Sequence, residues 1–173
     1  MTKKKQVSEK VTPRGGQKTP THHSPQTLIT YRVFIAAQAM SRLVDNAVRT
    51  SLGLTSRQWR ILVIINDLQI ATSGEVAKTA GYDHSQVSRV AVELTGLGLV
   101  EQRMDETDRR KQLLSVTEKG VEVVQRGLPA SAAREERFRS QLSQEDYEAF
   151  CRALETLTQE AQAMLAEQDV AKR

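Results

Sequence analysis

Two short segments of the chain carry polar and basic side chains suited to hydrogen bonding with a polyanion. They are His84, Ser85, Gln86, Ser88 and Arg89 in the first segment, and Asp108, Arg109, Arg110 and Lys111 in the second. Side chains of these types hydrogen-bond the base edges and phosphate groups of nucleic acids. The competing interpretation is that each segment is only a solvated surface. The secondary-structure elements that carry the two segments favour nucleic-acid binding.

The first segment lies in the second of two short predicted helices. Thr72 and Glu75 have the spacing of a capping box that begins the first helix, and Gly81 is suited to end it. Asp83 is then the predicted N-cap of the next helix, with Gln86 three positions later as in a second capping box. Two helices joined by about three residues that include a glycine predict a helix-turn-helix.

Apolar residues recur at every third or fourth position of this second helix and predict its buried face. They are Val87, Val90, Ala91, Leu94 and Leu97. The polar residues of the first segment must then point outward, together with Val92 and Glu93. They cluster in the first two turns, which is the part of a recognition helix that enters the DNA major groove.

The second segment lies at the tip of a predicted β-hairpin. Strands at 99–104 and 112–117 flank the charged loop 105–111, and they partly alternate apolar with polar residues. A wing of this kind inserts an arginine into the minor groove, where the negative potential is deepest. Asp108 would brace such an arginine rather than touch DNA, because phosphate repels a carboxylate.

Together these motifs resemble the MarR family of bacterial winged-helix transcription regulators. The resemblance covers roughly residues 25–165 and rests on DHSQVSRVAVEL, GLGLVEQR and DRRKQLLSVTEKG. Four residues match the family's wing pattern of Asp-x-Arg followed by a short apolar strand: Asp108, Arg110, Val116 and Thr117. Two departures are Gly74 early in the first helix and Leu97 near the end of the second.

Charge is distributed unevenly along the chain. The 173 residues carry a formal charge of +4, whereas residues 1–26 alone carry +5, so the remainder carries −1. Any positive potential facing DNA must therefore be local, arising from the basic residues of the helix and hairpin. Residues 1–24 are predicted to form a disordered basic tail that either adds phosphate contacts or only aids solubility.

The predicted fold is mainly α-helical with a small antiparallel β wing, and its length favours one domain at 25–167. The winged helix spans about 55–117, dimerisation helices span about 25–50 and 118–167, and 168–173 form a tail. Pro25 is expected at the first position of the first helix. Thr55, with Gln58 three positions later, is the predicted cap of the next helix, and Ser143 is the predicted cap of the last helix. Pro129 is expected to kink or interrupt the helix that Thr117 caps.

The terminal helices have more apolar surface than a small winged helix can cover, which predicts a homodimer. The stripe of the last helix comprises Tyr147, Phe150, Cys151, Leu154, Leu157, Ala161, Met164 and Leu165. The resemblance implies that the first and last helices of two subunits intertwine. A two-fold dimer would recognise an inverted-repeat operator in double-stranded DNA, with half-sites roughly 10 base pairs apart.

Several classes of function are disfavoured. The sequence has no recognisable nucleophile–base pair, metal-ligand cluster or glycine-rich phosphate loop, so we expect no enzyme, metal or cofactor. The chain has no apolar run of about 18 residues that would span a membrane, and a single cysteine suits the cytoplasm. Cys151 is expected to be buried and inert rather than a redox sensor, and Trp59 is expected in the core.

The resemblance implies a ligand-responsive regulator, most often a repressor. Similar proteins bind small anionic aromatic molecules between the dimerisation helices and the winged helix. Tyr31, Asn46 and Arg60 are the candidate pocket residues, although ordinary boundary residues would look the same. An activator or ligand-independent DNA-binding protein remains an alternative, as does a helical module whose winged helix binds another protein.

Overall fold

The computed structural model describes residues 24–106, 108 and 111–171. In this part of the chain a 3-10 helix, Pro25–Thr27, precedes six α-helices and three β-strands. These are α1 (Ile29–Leu52), α2 (Ser56–Leu68), β1 (Ile70–Thr72), α3 (Ser73–Ala80), α4 (His84–Gly96), β2 (Val100–Met104), β3 (Gln112–Val116), α5 (Glu118–Arg139) and α6 (Gln144–Ala171). The predicted mainly α-helical fold with a small antiparallel sheet is confirmed.

The chain divides into two compact units at Arg42 and Leu43. The described part of the first unit contains the 3-10 helix and the first half of α1. Pro25 begins the 3-10 helix and not α1, so the predicted α-helical start was wrong. The reason is local, because the hydroxyl of Thr27 donates to the Ser24 carbonyl at 2.8 Å and closes a separate turn.

The hydrophobic core lies in the second unit and is built by α2, α3, α4, α5 and the sheet. Its largest fully buried side chains are Ile61, Leu62, Ile65, Leu94, Leu114, Val76, Val87, Val100 and Val124. Trp59 is buried there as predicted. The Thr55 hydroxyl accepts from the Gln58 N–H at 3.2 Å and forms the capping box that begins α2. These contacts fix the element that supports the helix-turn-helix.

A side chain at the end of α1 secures the corner between α1 and α2. Asp45 Oδ1 accepts from the backbone N–H of Ser56 at 2.9 Å. Hydrogen bonds from the Arg49 side chain and from this N–H hold the pKa of Asp45 below its usual range. Because the carboxylate is ionised at neutral pH, both bonds to it are charge-assisted.

The sheet has three antiparallel strands in the order β1-β3-β2. Strands β2 and β3 form the predicted hairpin within one residue at each end, and Gln102 lies opposite Leu114. The two-strand prediction missed β1, in which Ala71 lies opposite Leu114 on the other side of β3. Three residues are too few to show the alternation that identifies a strand in sequence.

Helix α5 begins at the predicted cap, where the Thr117 hydroxyl accepts from the Gly120 N–H at 3.0 Å. The prediction was a kink or an interruption at Pro129. Pro129 lies inside this helix, which continues to Arg139, so it does not interrupt the helix. Proline removes one helical hydrogen bond but keeps a helical φ. Packing also supports the helix, since a Cβ on Gly127 would lie well inside the contact distance of Trp59.

Helix α6 begins at Ser143 as predicted, since the Asp146 N–H donates to its hydroxyl at 3.1 Å. It continues to Ala171, beyond the predicted limit at residue 167, because no proline or glycine stops it. None of its residues is buried in the single chain. Cys151 is therefore exposed, and the prediction of a buried thiol was wrong. No helix in the described ranges is long and apolar enough to cross a membrane.

Candidate nucleic-acid interface

Helix α4, the predicted recognition helix, begins after Asp83. The Asp83 carbonyl accepts from the N–H groups of Gln86 and Val87 at 3.0 and 3.1 Å. The Asp83 side chain makes no capping bond, so the predicted second capping box is absent. The turn before α4 contains Gly81 in the left-handed conformation at φ 66°, and buried residues of α3 and α4 pack in the same core.

The buried face of α4 is the predicted stripe with one exception. Val87, Val90, Ala91 and Leu94 are buried, whereas Leu97 is 44% exposed. Leu97 is the C-cap, where the helical path ends, so helical periodicity no longer sets its direction. The Leu97 carbonyl accepts from Lys119 Nζ at 2.8 Å, which ties the end of α4 to α5.

The predicted contact residues lie on the opposite side of α4. His84, Ser85 and Arg89 are exposed, and Gln86 and Ser88 are partly buried. Arg89 Nε donates to the Ser85 carbonyl at 3.3 Å, which keeps the guanidinium near the first turns of the helix. Polar groups are therefore concentrated where a recognition helix meets base edges.

The start of α4 and the base of the wing meet at one cleft of about 360 Å³. Its lining residues are Thr72, Ser73, Gly74, His84, Ser88, Lys111 and Gln112. The structure thus brings together three predicted contact residues, His84, Ser88 and Lys111. It adds the start of α3, whose positive dipole end favours an anion. The capping box at Thr72 locates this helix start in the sequence, but not its proximity to Lys111.

A carboxylate beside this cleft is held by the α3 capping box. Glu75 Oε2 accepts from the Thr72 N–H at 2.7 Å and from its hydroxyl at 2.8 Å. These two bonds, with a smaller contribution from Lys111, hold the pKa of Glu75 below its usual range. Glu75 is therefore ionised at neutral pH, and the capping box fixes the position of its carboxylate at the start of α3.

The wing loop is closed by bonds around Asp108. The Asp108 N–H donates to Asp105 Oδ1 at 2.9 Å, and the Lys111 N–H donates to the Asp108 carbonyl at 2.8 Å. Lys111 Nζ lies 3.9 Å from Asp108 Oδ2. Arg109 and Arg110 lie outside the described residues, so their minor-groove contact and the bracing by Asp108 stay predictions.

Two arginines of α2 face the turn before α4, an arrangement that the sequence analysis missed. The Cζ atoms of Arg57 and Arg60 lie 5.6 and 5.8 Å from the centre of the Tyr82 ring. Arg60 Nη1 also donates to Tyr82 Oη at 3.0 Å. Across the described ranges no carboxylate pairs with either guanidinium. Arg57 and Arg60 are three positions apart on an amphipathic helix, and this spacing could have indicated in the sequence that they share one face.

The three predicted effector-pocket residues are divided between the two compact units. Tyr31 belongs to the first unit. Asn46 is exposed, and its carbonyl accepts from Thr50 Oγ1 at 2.9 Å. Arg60 is engaged by Tyr82. A different cavity in the second unit, of about 720 Å³, is lined by Leu43, Ala133, Arg134, Arg137, Phe138 and Gln141. Among the described residues, no cluster of three side chains could hold a metal ion.

A helix-turn-helix followed by a β-hairpin defines a winged helix-turn-helix protein, the class that binds DNA through its second helix and its wing. The MarR family profile matches residues 52–111, the segment that contains these elements. The predicted resemblance to the MarR family is therefore confirmed for this winged-helix segment. The family consists of transcription regulators rather than enzymes, in agreement with the sequence analysis.

Solved structures share this fold at low sequence identity. A MarR/EmrR family transcriptional regulator from Acinetobacter sp. ADP1 is 17% identical, with a TM-score of 0.76 over 82% of this chain and 99% of that one. MepR of S. aureus in complex with DNA is 20% identical, with a TM-score of 0.71 over 77% and 98%. BpsR of Bordetella bronchiseptica is 21% identical, with a TM-score of 0.72 over 80% and 98%. No curated protein matches the chain by sequence.

Proposed function

We propose that the protein is a homodimeric, cytoplasmic repressor that binds an inverted-repeat operator and is released by a small ligand. The observation that carries the proposal is the cleft in which His84 and Ser88 of α4 meet Lys111 of the wing. These groups come from two elements separated in sequence, and all of them are suited to phosphate or base edges. A solvated surface would not require them to converge.

In the proposed complex, α4 enters the major groove with Ser85, Gln86 and Arg89 toward the bases. Lys111 and the start of α3 contact phosphate beside the groove, and Arg110 reaches the minor groove. The remainder of the chain beyond residue 26 carries a net charge of −1. Affinity for the phosphate backbone must therefore come from this interface and from the basic N-terminal residues.

The apolar surfaces of α1 and α6 support the proposed dimer. Phe150 is 49% exposed and Leu165 is 60% exposed on α6, while Phe34 is 54% exposed on α1. Soluble monomers rarely leave long apolar stripes open to water, and such stripes mark protein–protein interfaces. A second copy of the same chain would cover both helices and place two copies of α4 on one DNA face.

The ligand is proposed to be an aromatic acid. BpsR is a protein whose DNA binding is regulated by 6-hydroxynicotinic acid. In this chain Arg134 and Arg137 line the cavity of about 720 Å³ together with Phe138 and Leu43. An aromatic carboxylate would use both features. The trio Tyr31, Asn46 and Arg60 stays the alternative location.

DNA selection tests the proposed function. Duplexes selected by the full chain from a random pool should share an inverted repeat, and Arg110→Ala should weaken binding to them about tenfold. Arg152→Ala on α6 is the matched control and should leave the affinity unchanged. Failure to select any sequence would favour the protein-interaction alternative.

A panel of aromatic carboxylates then tests release. An active compound should lose its effect in Arg137→Ala if the cavity binds it, and in Arg60→Ala if the trio does. No response from any compound would favour the ligand-independent alternative. Transcription from a selected operator, measured with and without the protein, separates repressor from activator.

A further inference from the structure

Val92 is an aliphatic residue at the centre of the outward face of α4. Its side chain is 64% exposed. At 3.6 residues per turn, Ser85, Arg89 and Val92 fall within an arc of about 60° on the side opposite the buried stripe. Val92 thus shares its face with two of the proposed base-contacting residues and packs into no part of the core.

This position gives Val92 no evident role in the folded monomer. The core side of α4 is already complete with Val87, Val90 and Leu94. A β-branched residue on a solvent-facing helical position has lower helix propensity than alanine or a long polar residue. Single exposed apolar residues are common on protein surfaces. This one differs from them in its position, between hydrogen-bonding side chains on the predicted recognition helix.

The major groove offers one apolar group on its base edges, the C5-methyl group of thymine. An isopropyl group suits that methyl and does not suit the hydrogen-bonding edges of guanine, adenine or cytosine. Seven residues separate Val92 from Ser85, which is a rise of about 10 Å along the helix. This distance corresponds to about three base-pair steps of 3.4 Å.

We propose that Val92 contacts the methyl group of a thymine in each operator half-site, about three base pairs from the base that Ser85 meets. The inference rests on the proposed DNA-binding function and adds a residue that determines specificity. The polar residues of α4 position the helix and read donors and acceptors. Val92 then selects thymine over cytosine, because only thymine carries the methyl at this place.

Replacement of thymine by deoxyuridine tests the contact, because it removes only the methyl group. The probe is a duplex that the full-length wild-type chain has selected from a random pool, with each thymine replaced in turn. For one thymine of each half-site, we expect binding to weaken about fourfold, which is the effect of losing one buried methyl-sized group. In Val92→Ser the same replacement should change the affinity less than twofold.

Two controls separate this effect from folding and from general loss of binding. Leu97→Ala removes another exposed aliphatic side chain from the end of the same helix and should keep the fourfold effect. Val92→Thr keeps the branched shape and one methyl group, so this variant should retain part of the sensitivity to deoxyuridine. Both Val92 variants should keep the wild-type circular dichroism spectrum and unfolding midpoint, since the side chain is exposed.

The possible failures are distinguishable. If wild type binds the selected duplex and no thymine replacement matters, the inference is overturned while the DNA-binding function stands. The same conclusion follows if Val92→Ser keeps the full sensitivity to deoxyuridine. If wild type selects no sequence at all, the proposed function fails and the inference fails with it.

Discussion

Single residues of α2 extend the proposed DNA surface beyond α4 and the wing. Arg57 and Arg60 flank the ring of Tyr82, in the turn that leads into α4. Stacking on the ring and the bond to Tyr82 Oη restrict guanidinium groups that would otherwise be mobile. Arginines held in this way, with no carboxylate partner among the described residues, suit the phosphates at the edge of the groove occupied by α4.

Arg57→Ala is therefore expected to weaken binding to every DNA sequence and to reduce its salt dependence. Loss of one phosphate contact should lower the slope of log affinity against log salt concentration by about 0.9 for each subunit. A salt titration by fluorescence anisotropy measures this slope. Arg152→Ala, which removes an exposed arginine of α6, is the charge-matched control. Equal slopes for Arg57→Ala and wild type would remove Arg57 from the interface.

Because of Glu75, we expect the stability of the folded protein to decrease at acid pH. The bonds from Thr72 lower the pKa of Glu75 in the folded state, so its contribution is present above the ordinary pKa of glutamate and is lost as pH falls through the folded value. Glu75→Gln should have a lower unfolding midpoint than wild type at pH 7, and the two midpoints should converge as the pH falls through the lowered pKa of Glu75. A constant difference across this range would contradict the assignment.

At the scale of elements, the sequence predicted the helix starts and strands that depend on residues close together in the chain. The caps at Thr55, Thr72, Thr117 and Ser143 each use a hydroxyl and an N–H three residues later, so their signals lie within four positions. The wing strands were also predicted within one residue. For the candidate site, the sequence identified the face of α4 and the residue Lys111 of the cleft.

What the sequence could not predict depends on contacts between distant residues. Strand β1 exists because it pairs with β3, some 40 residues later. The path of α5 through Pro129 depends on its packing against α2, and the pairing of Arg57 and Arg60 with Tyr82 joins two elements. Cys151 lies on the predicted stripe, but its burial requires a cover that the single chain does not supply.

Gly127 shows how closely α5 approaches α2. A Cβ at this position would overlap the ring of Trp59 and lie 2.8 Å from Leu52 Cδ1. Gly127→Ala should therefore destabilise the fold by about 1–3 kcal/mol, even though alanine favours helices by about 1 kcal/mol. Urea unfolding provides the measurement. Gly96→Ala in α4 has open space around the new methyl and should instead leave stability unchanged or raise it.

At the scale of the whole molecule, each chain has one proposed DNA-contacting surface, and α1 and α6 expose large apolar side chains. A dimer would account for both features, because it would cover the apolar side chains of α6 and would present two DNA-contacting surfaces together. Leu157→Glu places a charge on the α6 stripe and should shift the protein from dimer to monomer in analytical ultracentrifugation. It should also weaken operator binding by at least tenfold, because two half-sites no longer bind as a unit.

Gln159→Glu is the matched control, since it adds the same charge to α6 away from the stripe. This variant should remain dimeric and keep the affinity for DNA. A Leu157→Glu protein that stays dimeric would place the interface elsewhere, whereas a monomer that binds the operator as tightly as wild type would separate DNA binding from assembly.

Hydroxyl-radical footprinting of the wild-type protein on its selected duplex tests the central claim most directly. A dimer with two copies of α4 in successive major grooves predicts two symmetric protected regions on one face of the DNA, centred about 10 base pairs apart. Additional minor-groove protection is expected beside each region, where the wing lies. A single protected region, or uniform protection that does not depend on sequence, would contradict the account.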